Sequence, residues 1–248
     1  MDQPLPHAPS QEPAALESPF VLEPDAALPE VPLHPAPWQL RGSAYVFAVH
    51  MPEDVLDHAA FIPKSWVAKR RGRTAYVMFV DYQSSNAGPY RELLVSPASF
   101  AFDGSYPAIT RIYVSSYDSV VNGRRNWGIP KDRADFDIQP DAANGGHVVH
   151  VTREGRTIAE LSLRAHGPKL PVRTWLLPAG LRTLVQPWQD QFFRFTLSAS
   201  GNARLATLKH WSFDPTLFPD LSRGRVLAGA YLPEFEMTFP VAQITPRR

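Results

Sequence analysis

Residues 74–96 read TAYVMFVDYQSSNAGPYRELLVS, and this stretch decides the fold class. It contains two runs rich in β-branched and aromatic residues, 74–81 and 91–96, which flank a segment ending in Gly88-Pro89. Runs of this kind between turn signals predict β-strands. The Gly-Pro pair predicts a turn directly before the second strand.

The same pattern recurs on both sides of this stretch. It predicts further strands at 44–50, 109–115, 147–152, 157–164, 192–198, 203–212 and 226–232. Helical patterns are few, and we predict helices at 52–60, which opens with Pro52 and acidic residues, and at 116–122. Many strands in one chain of this length predict a β-rich barrel or sandwich with mainly antiparallel pairing.

The composition is that of a globular protein. The chain has 248 residues, 44% of them hydrophobic, which is enough for one large β domain at residues 38–248. There is no cysteine, which excludes disulfides, thiolate metal sites and a cysteine nucleophile. No apolar run is long enough to span a membrane, and the N-terminus does not resemble a signal peptide. We therefore expect a cytoplasmic protein without membrane contacts.

The first 37 residues differ from the rest of the chain. They hold ten of the 26 prolines and six acidic residues but no Lys or Arg, so their net charge is −6. The remaining residues, 25 basic and 18 acidic, carry +7. A Pro-rich acidic segment buries little surface, which predicts an N-terminal arm. Phe20, Val21 and Leu22 are its candidates for docking on the body or on a neighbouring subunit.

Several common kinds of site are not expected. His147 and His150 form a His-x-x-His pair, but in a strand their side chains point to opposite faces, which argues against a metal site. The sequence has no Gly-x-Ser-x-Gly elbow and no Gly-rich phosphate loop. The cluster of basic residues at 69–73 is better explained as a solvated loop than as a nucleic-acid site.

Residues 123–131, GRRNWGIPK, are the strongest candidate for chemistry. The predicted helix ends at Gly123, and Lys131 follows Trp127, Ile129 and Pro130 at a rigid, apolar turn. Desolvation lowers the pKa of a lysine and leaves a neutral amine, and a neutral amine attacks ketones to form a Schiff base. Taken alone, however, a lysine after a proline is usually a surface residue.

Gly-Pro-Tyr-x-Glu at 88–92, followed by Gly-Arg and Pro-Lys at 123–131, resembles the acetoacetate decarboxylase family. The separation between Glu92 and Lys131 matches that family without a gap, and the resemblance is strongest over residues 74–135. It implies a closed, largely antiparallel β-barrel with an internal apolar pocket. It also implies that Lys131 is the Schiff-base lysine and that Glu92 is its catalytic partner; acetoacetate decarboxylase is itself a standard example of a lysine activated in this way.

The resemblance also indicates substrate-binding candidates. These are Tyr90 beside Glu92, and Trp127 and Arg124 in the lysine segment. Arg41 is the candidate for the upstream arginine that meets the substrate carboxylate in the family.

Two positions depart from the family pattern. Arg125 replaces a glutamate, and Asp132 replaces a second lysine. A carboxylate near Lys131 favours the ammonium form, unless an extended backbone points Asp132 away from it. Arg124 or Arg125 is then the candidate for the adjacent cation. The second acidic residue of the family has no counterpart at residues 76–78.

We expect a Schiff-base lyase that acts on a keto acid or a related carbonyl compound, of the decarboxylase or the aldolase/dehydratase type. The alternative is a non-catalytic protein of the same fold that binds a small apolar or anionic ligand. A third possibility is an assembly role for the N-terminal arm. We expect no metal or organic cofactor, because the lysine iminium is itself the electron sink, and we expect a homo-oligomer that does not bind nucleic acid.

Overall fold

The computed structural model describes residues 22–58, 60–142, 146–176 and 178–247. Its strands occupy all nine predicted positions, often with longer bounds. They are β1 (Trp38–His50), β2 (Arg70–Arg71), β3 (Thr74–Ser84), β4 (Tyr90–Ser96), β5 (Ser99–Ala101), β6 (Ser105–Pro107), β7 (Arg111–Val114), β8 (Lys131–Arg133), β9 (Asp135–Asp141), β10 (Gly146–Arg153), β11 (Arg156–Arg173), β12 (Thr183–Trp188), β13 (Gln191–Thr196), β14 (Ser198–Phe213), β15 (Arg225–Phe239) and β16 (Gln243–Pro246).

The helices are short, apart from one. They are α1 (Glu53–His58), α2 (Lys64–Val67), α3 (Tyr117–Trp127) and α4 (Ala179–Arg182), with single 3₁₀ turns at Asp25–Ala27, Thr174–Leu176 and Leu221–Arg223. The helix predicted at 52–60 is α1. The prediction that the next helix ends at Gly123 was wrong, because α3 continues to Trp127.

The ends of α3 have clear physical causes. The side chain of Ser116 accepts a hydrogen bond from the backbone N–H of Ser119, which caps the first turn. Gly128 ends the helix with φ +61°, a left-handed conformation that glycine adopts without steric cost. Gly123 therefore lies inside the helix and does not end it.

Ten strands form one large sheet in the order β8-β7-β4-β3-β1-β15-β14-β11-β10-β9. Its pairs are antiparallel except for β7 with β8, which is parallel. The two edge strands, β8 and β9, follow one another in the chain with Ala134 alone between them. The sheet therefore curls back on itself into a nearly closed barrel, which confirms the predicted fold class.

Apolar side chains pack on both faces of this sheet. Because neighbouring residues of a strand point to opposite faces, Val77 and Phe79 of β3 join one core, whereas Val80 and Tyr82 join the other. The first core continues across β4, β7, β10 and β11. The second core lies beneath α3 and β13, and it is the core that surrounds the candidate site.

The described part of the predicted arm lies along α3. The side chain of Asn122 accepts a hydrogen bond from the main-chain N–H of His34 (2.8 Å) and donates one to the carbonyl of Pro32 (3.0 Å). Phe20 and Val21 lie outside the described residues. No helix in the described residues has the length and apolar character needed to cross a membrane.

Candidate active site

Lys131 opens β8 and extends its side chain between the sheet and α3. The side chain is 5% exposed. It crosses the helix at Gly123, where an added Cβ would lie 2.6 Å from Lys131 Cδ and 2.8 Å from Cε. A side chain at this position would therefore displace the methylene groups of the lysine.

The amine of Lys131 is held by two oxygen atoms. Nζ lies 3.0 Å from Oε2 of Glu92 and 3.0 Å from Oγ of Ser119, and it donates a hydrogen bond to each. The ring of Tyr90 lies below it, with its centroid 5.0 Å from Nζ, within the range of a cation–π contact. The structure thus brings Lys131 and Glu92 together, although 38 residues separate them in the chain.

Two tyrosine hydroxyl groups extend this cluster. Tyr82 lies beside Glu92, and Tyr90 lies beside Ser119. Burial, followed by the nearby charge of Glu92, raises the pKa of both tyrosines well above 10. Nζ of Lys131 therefore links Glu92 and Ser119 by hydrogen bonds, and the two tyrosine hydroxyl groups lie beside this buried polar cluster.

Arg124 holds the main chain of the lysine rather than its amine. Its Nε donates to the carbonyl of Lys131 (2.9 Å), and its Nη1 donates to the carbonyl of Glu23 and to Asp25 (both 2.7 Å). It connects the arm, α3 and the start of β8, so it has a positioning role here. Arg125, the next residue of α3, is exposed.

Asp132 points away from the lysine amine, as an extended backbone requires. It is fully buried and forms ion pairs with Arg153 and, at 3.7 Å, with Arg111. Because consecutive residues of β8 face opposite sides of the sheet, this carboxylate and the amine belong to separate clusters. The replacement of a family lysine by Asp132 therefore leaves the contacts of Lys131 Nζ intact.

Two predicted substrate-binding residues lie elsewhere. The side chain of Arg41 is 70% exposed and paired with Glu236 (2.6 Å) across β1 and β15, because residue 41 falls on the outward phase of β1. Trp127 is buried: its indole N–H donates to the carbonyl of Pro240 (2.7 Å), and its ring packs edge-on against Trp38. It belongs to the core and does not contact the amine.

Ser119 and Tyr82 were missed by the sequence analysis. A signal for Ser119 existed, because residues four apart share one face of a helix and Ser119 precedes Gly123 by four. Recognising it required a helix that continues through Gly123. Tyr82 lies just beyond the predicted end of β3 at residue 81, and on the same face as Val80.

The sequence and the fold both match known proteins. A family model described as acetoacetate decarboxylase matches residues 21–179. The chain belongs to the acetoacetate decarboxylase family. No curated protein matches it significantly in sequence.

Solved structures of this family share the fold. An acetoacetate decarboxylase from Legionella pneumophila subsp. pneumophila str. Philadelphia 1 superposes with a TM-score of 0.63 at 12% identity, covering 96% of this chain and 98% of that one. The enduracididine biosynthesis enzyme MppR complexed with pyruvate gives 0.60 at 16% identity, covering 86% and 91%. An acetoacetate decarboxylase-like enzyme from Sphingomonas wittichii RW1 gives 0.57 at 14%, covering 86% and 94%. Identities this low show the fold, and family membership supports a lyase-type enzyme at the level of the family.

Proposed function

We propose that this protein is a Schiff-base lyase in which Lys131 attacks the carbonyl carbon of a keto acid or a related carbonyl compound. The observation that carries the proposal is the buried amine of Lys131, 3.0 Å from Glu92 Oε2 and 3.0 Å from Ser119 Oγ. An amine of this kind is enclosed from water and has a proton acceptor in hydrogen-bonding contact.

The first steps need a proton acceptor beside the amine. Glu92 accepts a proton from the ammonium group, the neutral Nζ forms a bond to the carbonyl carbon, and a proton passes from the nitrogen to the former carbonyl oxygen to give the carbinolamine. Glu92 then returns the proton to the hydroxyl group of the carbinolamine. The carbon–oxygen bond breaks, water leaves, and a protonated imine remains. Ser119 Oγ accepts a hydrogen bond from Nζ in the resting site, so it fixes the direction of the amine.

The protonated imine supplies the electron sink. When carbon dioxide leaves, or when an aldol bond breaks as Glu92 accepts the proton of the substrate hydroxyl group, the electron pair of the broken carbon–carbon bond moves into the iminium group and gives an enamine. Protonation of the enamine carbon and hydrolysis then release the product and restore Lys131. The hydroxyl groups of Tyr82 and Tyr90 stay protonated, because their pKa values are raised, and they keep uncharged donors beside Glu92 and Ser119.

The polar groups around the amine limit the substrate class. They are a carboxylate and hydroxyl groups, whereas Arg41 lies on the outer surface. A substrate carboxylate placed close to Glu92 would be repelled. We therefore favour substrates larger than acetoacetate, either a longer keto acid or an aldol-type compound. The structures of MppR with pyruvate and with the condensation product of pyruvate and imidazole 4-carboxaldehyde supply the aldol-type example.

One observation favours the second candidate, a ligand-binding protein without catalysis. The amine is enclosed and fully engaged by Glu92 and Ser119, and the two cavities described for this chain are lined by other residues. Ligand binding in either cavity does not need access to this amine, whereas imine formation does.

Trapping with borohydride tests the proposal. The protein would be mixed with pyruvate, acetoacetate, longer β-keto acids and simple ketones, reduced, and analysed by intact mass and peptide mapping. We expect an adduct on Lys131 that is absent from Lys131→Ala and retained in Lys169→Ala, a matched control in which an exposed lysine is removed. Glu92→Gln should slow adduct formation. Folded protein that gives no adduct with any compound, or gives one on another lysine, would contradict the proposal.

A further inference from the structure

A second cavity lies apart from the amine. It has a volume of about 640 Å³ and is formed by the loop between α1 and α2, the start of β7, and β12. Volumes of roughly 300–1,000 Å³ are typical of sites for small molecules. Neither Lys131 nor Glu92 nor Ser119 contributes to its lining.

The walls of this cavity are apolar and firmly held. Trp66 and Ile109 are each 5% exposed, and Ile62 and Trp188 complete the apolar surface. Gln186 bonds to both the main-chain N–H and the carbonyl of Ile109 (3.0 and 2.9 Å). Because both polar atoms of this amide are hydrogen-bonded within the protein, a ligand does not need a polar group to satisfy them.

The charge of the lining is cationic even though Arg111 pairs with Asp132, because Arg153 shares the same carboxylate and two guanidinium groups thus face one negative charge. The side chain of Arg111 is 2% exposed, and burial lowers the pKa of its guanidinium to about 10. Lys64 adds an exposed cation at the rim, whereas Asp57, the acidic residue of the lining, is engaged by Arg70 at 2.9 Å. Charges in a poorly solvated wall are weakly screened, so an anion in the cavity is stabilised.

The cavity lies across the sheet from the candidate active site. Ile112 of β7 pairs with Lys131 of β8, so the two side chains share a face, and Arg111, one residue earlier, points to the opposite face. Phe61 stands against Arg111, with its ring centroid 5.8 Å from the guanidinium carbon, and has φ +55°. Bulky residues rarely adopt that conformation, and strained residues of this kind cluster at functional sites.

We propose that this cavity binds a small amphipathic carboxylate, with an aromatic or aliphatic body against Trp66 and Ile109 and an anionic head group on the side of Arg111 and Lys64. The site is independent of the Schiff-base proposal, because a ligand without a carbonyl group can occupy it. Trp66 and Trp188 line the cavity, so its occupation is reported by tryptophan fluorescence.

Two probes of equal shape test the proposal on the full chain. 4-Phenylbutanoate and 4-phenylbutanamide differ in charge and hardly in size, and neither forms an imine. Titration followed by fluorescence and calorimetry should show binding of the acid at least about tenfold tighter than the amide, which corresponds to about 1.4 kcal/mol. Lys131→Ala should bind the acid as the wild type does, whatever the outcome of borohydride trapping.

Cavity-filling variants locate the binding. Ile62→Trp and Val67→Trp each place an indole in the cavity and should abolish binding of the acid. Ile244→Trp is the matched control, because Ile244 is 50% exposed on β16 and lines neither cavity; it should bind normally. Equal affinity for acid and amide, no binding of either, or normal binding by both filled variants would each overturn the proposal.

Discussion

Replacing Gly123 with alanine tests whether the position of the Lys131 side chain is what the site depends on. The added methyl group would lie 2.6 Å from Lys131 Cδ, whereas carbon atoms in contact are roughly 3.5–4.0 Å apart. The lysine methylenes must therefore move by about 1 Å, since they are more mobile than the backbone of α3. The amine then leaves hydrogen-bonding distance of at least one of Glu92 and Ser119.

The two energetic consequences have opposite signs. Alanine inside a helix is more favourable than glycine by about 1 kcal/mol, because it restricts the unfolded chain and fits the helix backbone. Loss of one hydrogen bond from a charged donor costs roughly 1.5–3 kcal/mol. The net loss of stability is therefore about 0.5–2 kcal/mol. The effect on chemistry is larger, because a misplacement of about 1 Å lowers rates on the order of 100-fold.

The assay separates these effects. The rate of borohydride-trapped adduct formation on Lys131 reports the site, and thermal unfolding reports the fold. Gly180→Ala is the matched control, because Gly180 lies in α4 and an added Cβ there meets nothing within 4 Å. We expect Gly180→Ala to trap at the wild-type rate and Gly123→Ala to be strongly impaired while still folding. Wild-type trapping by Gly123→Ala would refute the reasoning.

Three further predictions follow from the same geometry. Trp127→Ala should lower the free energy of unfolding by roughly 3–5 kcal/mol in urea titrations, because the ring is 1% exposed; an unchanged midpoint would contradict its place in the core. Asp132→Asn should cost roughly 3–5 kcal/mol, since it leaves buried guanidinium groups uncompensated, but trapping on Lys131 should persist; loss of trapping in folded protein would show that the two clusters are coupled. Above pH 10 stability should fall. Tyr82 and Tyr90 keep their protons in the folded state and lose them in the unfolded one, so the stability present below the unfolded pKa is lost as pH rises. Ultraviolet titration should show these phenols ionising only with unfolding, and their ionisation in folded protein would argue against their burial.

The sheet could be predicted because its sequence signal is local. In β3, Val77 and Phe79 are buried, while Tyr76 between them is 41% exposed, and this alternation is visible in the sequence. The end of β11 was not predictable in the same way. Gly167, Pro168 and Pro171 normally end a strand, but β11 continues to Arg173. Among the described residues, β10 pairs with β11 only as far as Leu163; within that part of the chain one edge of β11 is open beyond this point, and proline is tolerated on an open edge.

The site was predictable only in part, because its residues come from separate elements. Lys131 and Glu92 were identified through a motif and its spacing. Identifying Ser119 required knowing where α3 ends. The sequence does not locate that end clearly, because a glycine such as Gly123 can either end a helix or lie within it. Arg41 was expected near the amine but lies on the surface, and the reason is a different one. A motif alignment does not fix the register of β1, which shifts at residues 41–42 against β3 and at 42–44 against β15, and one residue of shift exchanges the faces of a strand.

The register also explains why the departures from the family pattern do not change the contacts of the Lys131 amine. Lys131 and Asp132 are adjacent in sequence but lie on opposite faces of β8, so the carboxylate of Asp132 is neutralised by Arg153 and Arg111 in a cluster of its own. Arg125 is exposed on α3, so it supplies no cation to the amine. The groups in contact with Lys131 Nζ are then Glu92, Ser119 and the face of Tyr90. Any reactivity of this lysine must come from that enclosed set, because the second family lysine has no cationic replacement beside it.

Ser119→Ala should therefore alter the pH dependence of trapping, whereas Arg125→Ala should leave it unchanged. The reverse result would show that Arg125, on the surface of α3, controls the reactivity of the amine and that Ser119 does not.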